Sequence, residues 1–469
     1  MPLILAQAAP LMLSGSDDLD RELARLVGMI GEPAAEFLPR LADKWTGRSA
    51  AEDDIHYLLV LARLPGPRSA EVTRRTADAL NGIFPKLATR GARPSDQAPM
   101  ILEGLCDRLI QLDPALSMAM VSAKSFGAKG QELFANRLPL AQKQHAARML
   151  LAMLGKLDED ERAAAWSPDM VRLVATLPPE ESLPVLRVQA GDPGIADPIA
   201  LVLAAQRQLE DRMRLVAALD SSQPRVVAAV SEALAALPPQ KPQARDLAVA
   251  LRALRRLSNQ KEEGAHQSVT NLLSHWTNRP ARPENIKSNQ LAAIDAAWLA
   301  WFNQSYPKEA PTLLGMTGAD TSKWLERFEK VGWDAGDASR GNVFFQNKGC
   351  ARCHGDARRL GPDLAGIAQR FARNDLFIHI VDPSKEISPA YVPTVVITVS
   401  GKIHQGMLIY KSQELTLLQT SPDTTVRIPG NEVQSVQSGR VSFMPTGLLD
   451  NATDRDLADL YAYLKTLRK

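Results

Sequence analysis

The sequence predicts a mainly α-helical chain in which a long array of helices leads into a smaller C-terminal domain with a β insertion. Three observations carry that expectation. From about Asp17 to Ala310, apolar residues recur at three- and four-residue steps, with Pro, Gly or Asp at the breaks. From about residue 392 to 438 the pattern changes to strand-like alternation. Helical spacing returns at Asp454 to Leu467, where Leu457, Leu460, Tyr461 and Leu464 form a stripe.

A chain of 469 residues exceeds what one hydrophobic core uses, so two regions are expected, 17–315 and 337–469. Hydrophobic residues at 45% and charged residues at 23% match ordinary folded proteins and argue against a disordered chain. A net charge of +2 supplies no field for nucleic acid or a lipid surface. No run of about 18 apolar residues occurs, so no membrane span is expected.

Within the helical array one pair shows the logic. Asp220-Ser221-Ser222-Gln223-Pro224 opens a helix whose Val226, Val227, Val230, Leu234 and Leu237 share a face. Pro224 falls in the first turn, where its missing N–H removes no bond. Pro238-Pro239 stops the helix, and Leu247, Leu251, Leu254 and Leu257 repeat the face in an antiparallel partner. Pairs unable to bury their stripes alone stack into an α-solenoid, and a unit of about 40 residues resembles HEAT-type repeats. An irregular helical bundle is the alternative. Trp298, Trp301 and Phe302 lie on one helical face, which reads as core or a domain seam. Cys106, in the apolar run Gly104-Leu105-Cys106, reads as a buried free thiol.

Strand-like runs follow at Val395–Val399, Met407–Ile409, Leu415–Leu418 and Val426–Ile428, with Ser400-Gly401 as a hairpin turn and Gly430-Asn431 as a further break. A small β-meander is the expected product.

The chemistry concentrates in Cys350-Ala351-Arg352-Cys353-His354. Thiols at i and i+3 on one side of a helical turn can add across the two vinyl groups of a haem, and the adjacent imidazole then faces the iron. A zinc site would want a fourth ligand at comparable spacing, and no second Cys pair or His-x3-His exists. A thioredoxin-like pair would open a helix after a strand. For the sixth ligand Met444, in Ser442-Phe443-Met444-Pro445-Thr446-Gly447 shortly before the last helix, is the leading candidate. Met407, His404 and His379 are the alternatives, and a thioether would raise the potential relative to two histidines.

The segment Gly341 to Leu467 resembles the haem-binding, class I-like cytochrome c domain at the C-terminus of large planctomycete-type proteins. The matching elements are Gly341, Val343-Phe344, the Cys-x-x-Cys-His motif, Gly361-Pro362-Asp363-Leu364, Asp382-Pro383-Ser384, Tyr391, Ser442–Pro445 and Asp459–Leu464. The resemblance implies one covalent haem c, a first helix whose Gly and aromatic face crosses the Leu457/Tyr461/Leu464 face of the last helix, and a Pro362 carbonyl that receives the Nδ1–H of His354. In that family helical repeats often precede the haem domain and a β-propeller resembling sugar dehydrogenases often precedes the repeats. No propeller pattern is present, so a fragment or shortened relative is expected, not a dehydrogenase in itself.

Function follows as an expectation: a c-type cytochrome passing single electrons between a dehydrogenase donor and a cytochrome or oxidase acceptor. The alternative is a helical binding scaffold whose haem is a sensor or a structural group. Peroxidase chemistry would need a distal His/Arg pair, for which Arg358, Arg359 and Arg373 are too generic. Covalent attachment places the chain in the periplasm or another extracytoplasmic space. Met1 to Leu13, apolar but without a basic start and broken by Gln7 and Pro10, reads as a domain edge more than as an export signal.

Overall fold

The helix-periodic runs become helices, and the alternating runs become one small antiparallel sheet near the C-terminus. The structure is a computed structural model that describes residues 16–30, 36–89, 98–158, 161–162, 165–192, 194–221, 223–314, 321–354, 360–399, 403–421, 424–439, 442–450 and 452–467. Met1–Leu13, the Ser400-Gly401 turn, Arg358 and Arg359 lie outside the described residues. Packing divides the chain into two units, one ending at Leu186 and one beginning at Arg187.

The first unit contains only helices among its described residues. Its core gathers Phe37, Leu41, Leu58, Leu80 and Phe134, all fully buried. Two buried carboxylates there are paired, Asp20 with Lys44 and Asp54 with Lys86, which is how such charges are tolerated inside a fold. Ser167 caps the helix Pro168–Val174: its Oγ accepts from Met170 N at 3.1 Å, and Pro168 takes the first turn. Cys106 is completely buried, and burial pushes its thiol up to about 12, so it is protonated and inert.

In the second unit, helix Pro224–Ala236 packs against Ala196–Gln206, Arg212–Ala218 and Glu263–Thr277. Helix Ala244–Gln260 packs against Arg212–Ala218, Glu263–Thr277 and Leu291–Ser305. The apolar faces read from the sequence are the buried ones: Val226, Val227, Val230 and Leu234 in the first, Leu247, Leu251, Leu254 and Leu257 in the second. One pairing differs from expectation. The main partner of Pro224–Ala236 is Glu263–Thr277, not the helix that follows it, because the proline-rich segment 237–243 carries the chain across before the next helix begins. Arg207, Lys261 and Asn278 stop three of these helices in the left-handed conformation, at φ 51°, 60° and 53°. Trp298 and Phe302 are buried, and Trp298 Nε1 donates to Ala281 O at 3.0 Å, a core role.

The C-terminal part of this unit has its own core of Trp324, Phe328, Trp333, Phe345, Phe377, Leu457, Leu460 and Leu464. The sheet stands apart on Val396, Leu418 and Ile428. Its strands are β1 (Thr394–Thr398), β2 (Ile403–Lys411), β3 (Leu415–Ser421), β4 (Thr424–Pro429) and β5 (Val433–Ser438), in the order β4-β3-β2-β1-β5. The first four form the expected meander. The fifth departs from it, crossing from the β4 edge to pair antiparallel with β1, Val436 opposite Val396.

Candidate functional site

The site begins with a helix crossing. Asp337 caps helix Ala338–Asn347, its Oδ1 accepting from Arg340 N at 2.8 Å, and the helix lies across Asp454–Thr466. Gly341 makes the crossing possible: a Cβ there would sit 2.0 Å from Asp459 O and 2.8 Å from Tyr463 Cβ. Phe345 and Tyr463 pack with ring centroids 5.2 Å apart. Arg340 grips Asp459 with two hydrogen bonds of 2.7 Å and holds that carboxyl below the usual range. Gly341 therefore meets the last helix at Asp459 and Tyr463, not at the expected Leu457/Tyr461/Leu464 stripe. That stripe serves the core instead, with Tyr461 edge-on to Trp333 at 5.7 Å. Val343 is exposed.

Gly349, at φ 73°, ends the first helix, and Cys350–His354 forms the next turn. Both thiols are free and half-buried, and Cys350 packs against the C-terminal core. Burial raises both, Cys350 to about 12, so they are protonated thiols. The chain returns so that Gly361 N donates to Cys353 O at 3.0 Å. This brings Pro362 O to 2.8 Å from His354 Nδ1. A carbonyl only accepts, so Nδ1 carries the proton and Nε2 keeps its lone pair. Burial lowers the affinity of His354 for a second proton, against a weaker opposing effect of the Pro362 bond. The backbone of Gly361 lies against the ring: a Cβ would sit 2.6 Å from His354 Cε1 and 2.9 Å from Nδ1.

Cys350, Cys353, His354 and Pro362 are thus gathered by one turn and its return loop. Met444 lies in a bend, half-buried, with its N–H donating to Ser442 Oγ at 3.1 Å. Ser442 N in turn donates to Ser384 Oγ at 3.1 Å. Of the alternatives, His404 and Met407 are in β2, and His379 is half-buried, edge-on to Phe371 at 5.8 Å. Arg373 lies over the Trp333 ring at 4.6 Å, a packing role.

Sequence reasoning missed a set of polar residues on the helices beside the motif. Arg352, between the two cysteines, is ion-paired with Asp197 of helix Ala196–Gln206 in a nearly buried contact. Asp220 takes Arg252 Nη2 at 2.9 Å and Arg256 Nη1 at 3.4 Å. Burial works to raise the Asp220 carboxyl, but Arg256 and Arg252 outweigh it and hold the group below the usual range. A cavity of about 450 Å³ adjoins the motif, with Asp197, Leu203, Asp220, Lys348, Gly349 and Arg352 in its wall. Asp220 was visible in the sequence only as a residue before a helix start. No known protein family matches this chain, and no curated protein matches it.

Proposed function

We propose that residues 337–469 form a class I-like mono-haem cytochrome c domain, carried behind a HEAT-like α-solenoid at 17–315, and that the chain transfers single electrons. One haem c would be held through thioethers to Cys350 and Cys353, with His354 and Met444 as its iron ligands. The donor is a dehydrogenase, and the acceptor is another cytochrome or an oxidase. When bound, the haem supplies a one-electron Fe(III)/Fe(II) couple.

The observation that carries the reading is the 2.8 Å bond between His354 Nδ1 and Pro362 O, which fixes the tautomer and leaves Nε2 as a metal donor. The residues present fit the group: protonated thiols suited to addition, a neutral imidazole beside them, and a Gly361 backbone flat against the ring. The Gly341 crossing supports the cytochrome-like arrangement, and within each unit the packing of several helices on their next-but-one neighbours supports the solenoid. Among the described residues no helix is long and apolar enough to cross a membrane. Thioether formation places the working chain in the periplasm or an equivalent extracytoplasmic space.

In this account His354 and Met444 would both hold the iron, and the haem would supply electron transfer with no place for a substrate. The test is the visible spectrum of the exported chain. A narrow α band on reduction, with slow carbon monoxide binding, is expected. A broad high-spin spectrum with fast carbon monoxide binding would favour instead a haem sensor on a helical scaffold.

A further inference from the structure

The loop carrying Met444 has two anchors of different origin. On its N-terminal side Ser384 and Ser442 hold it from within the 337–469 region. On its C-terminal side the anchor is helix Ala244–Gln260. Asn259 Nδ2 donates to Thr446 Oγ1 at 3.3 Å. Gly447, at φ 80°, comes so near that a Cβ would lie 3.3 Å from Arg256 Cγ and 3.0 Å from Asp450 Oδ2. Arg256 cannot easily yield: its Nη2 donates to Leu219 O at 2.7 Å and Ser221 O at 3.3 Å, and its Nη1 faces Asp220. Asp220 also binds Arg252, whose Nη1 donates to Leu313 O at 2.9 Å, and attracts Lys348, two residues before Cys350. With Arg352 paired to Asp197, the segments bearing both proposed axial ligands rest on the same set of helices.

We propose that Asp220, Arg256 and Asn259 are positioning residues that hold the Met444 loop closed on the iron, so that the helical region sets the ligation state of the haem. This rests on Met444 as the sixth ligand and extends it to the helices outside the haem domain. A thioether is a weak neutral ligand, and its occupancy depends on how far its loop is preorganised. Asp220 is central because one carboxylate orients the arginine under Gly447 and faces the lysine beside the motif.

The test uses the full haem-loaded chain with Asp220→Asn and Asn259→Ala, and Asp220→Glu as the conservative partner. Three quantities are read: the sulfur-to-iron charge-transfer band of the ferric form, the carbon monoxide association rate of the ferrous form, and haem per chain. Expected are a weakened band and carbon monoxide binding faster by about tenfold in Asp220→Asn, the order set by one lost charge-assisted hydrogen bond. Haem per chain stays unchanged, and Asp220→Glu recovers the band in part. Should Asp220→Asn fail to fold, Asn259→Ala decides, since it alters one exposed side chain. A wild-type band that persists undiminished in the folded variants, with binding no faster, overturns the positioning role alone. Absence of the band in the wild type overturns Met444 ligation and this proposal together.

Discussion

Replacing Gly361 by alanine strikes the contact on which the haem reading turns. The added methyl would lie 2.6 Å from His354 Cε1, 2.9 Å from Nδ1 and 3.1 Å from Nε2, well inside van der Waals contact with the ring along its whole edge. The imidazole must rotate or retreat, and overpacking of this kind costs about 1–3 kcal/mol. Retreat stretches the 2.8 Å bond to Pro362 O. That bond makes the imidazole a more basic ligand, and basicity favours the ferric iron. If its loss weakens the ferric preference by about 1 kcal/mol, the size of one net hydrogen bond, the midpoint potential rises by roughly 40 mV for a one-electron couple. The assay is a spectroelectrochemical titration of wild type and Gly361→Ala with haem per chain checked in both. A variant with unchanged potential and unchanged spectrum would refute the placement of the His354 ring against this glycine.

Other perturbations reach the supporting fold. Gly341→Ala forces a methyl against the Asp459 carbonyl, where backbone meets backbone and neither can turn aside; we expect a loss of about 3 kcal/mol or more in urea unfolding of the haem-loaded chain. Trp333→Ala empties a site packed by Phe328, Phe377 and Tyr461, and the same assay should show a loss of about 3–5 kcal/mol. The Asp459 carboxyl is held below its ordinary value by Arg340, so its stabilising contribution is full above the unfolded carboxylate range and is lost as the pH falls through the depressed native value. Asp459→Asn should therefore lower the urea midpoint near neutral pH and narrow the gap to wild type in acid. A gap that stays constant across that range would remove the pair from the account.

Periodicity exposed most of the fold. The Val226–Leu234 and Leu247–Leu257 faces are buried as their spacing requires, and the Thr453/Asp456 capping box starts the last helix where the apolar stripe begins. The motif was legible because its parts are contiguous, and Pro362 was reachable only through resemblance. The crossing face of the last helix was misread for a physical reason. An apolar stripe marks the side facing the core, whereas Gly341 meets the last helix at Asp459 and Tyr463, where the charge of Asp459 is taken up by Arg340. The fifth strand, Val-Gln-Ser-Val-Gln-Ser, lies inside the strand-like stretch, but nothing local in it marked its pairing with β1 at the far edge of the meander. Asp197, Asp220, Arg256 and Asn259 are distant in sequence from the motif they adjoin, and no local pattern distinguishes them from other helix-surface charges.

The most direct measurement is the intact mass of the full chain exported by a host able to attach haem, taken after acid extraction of any loosely held cofactor. The account predicts the polypeptide plus one haem, with the added mass retained on a peptide spanning Cys350 to His354. The bare polypeptide mass, from material that was exported and folded, would contradict it.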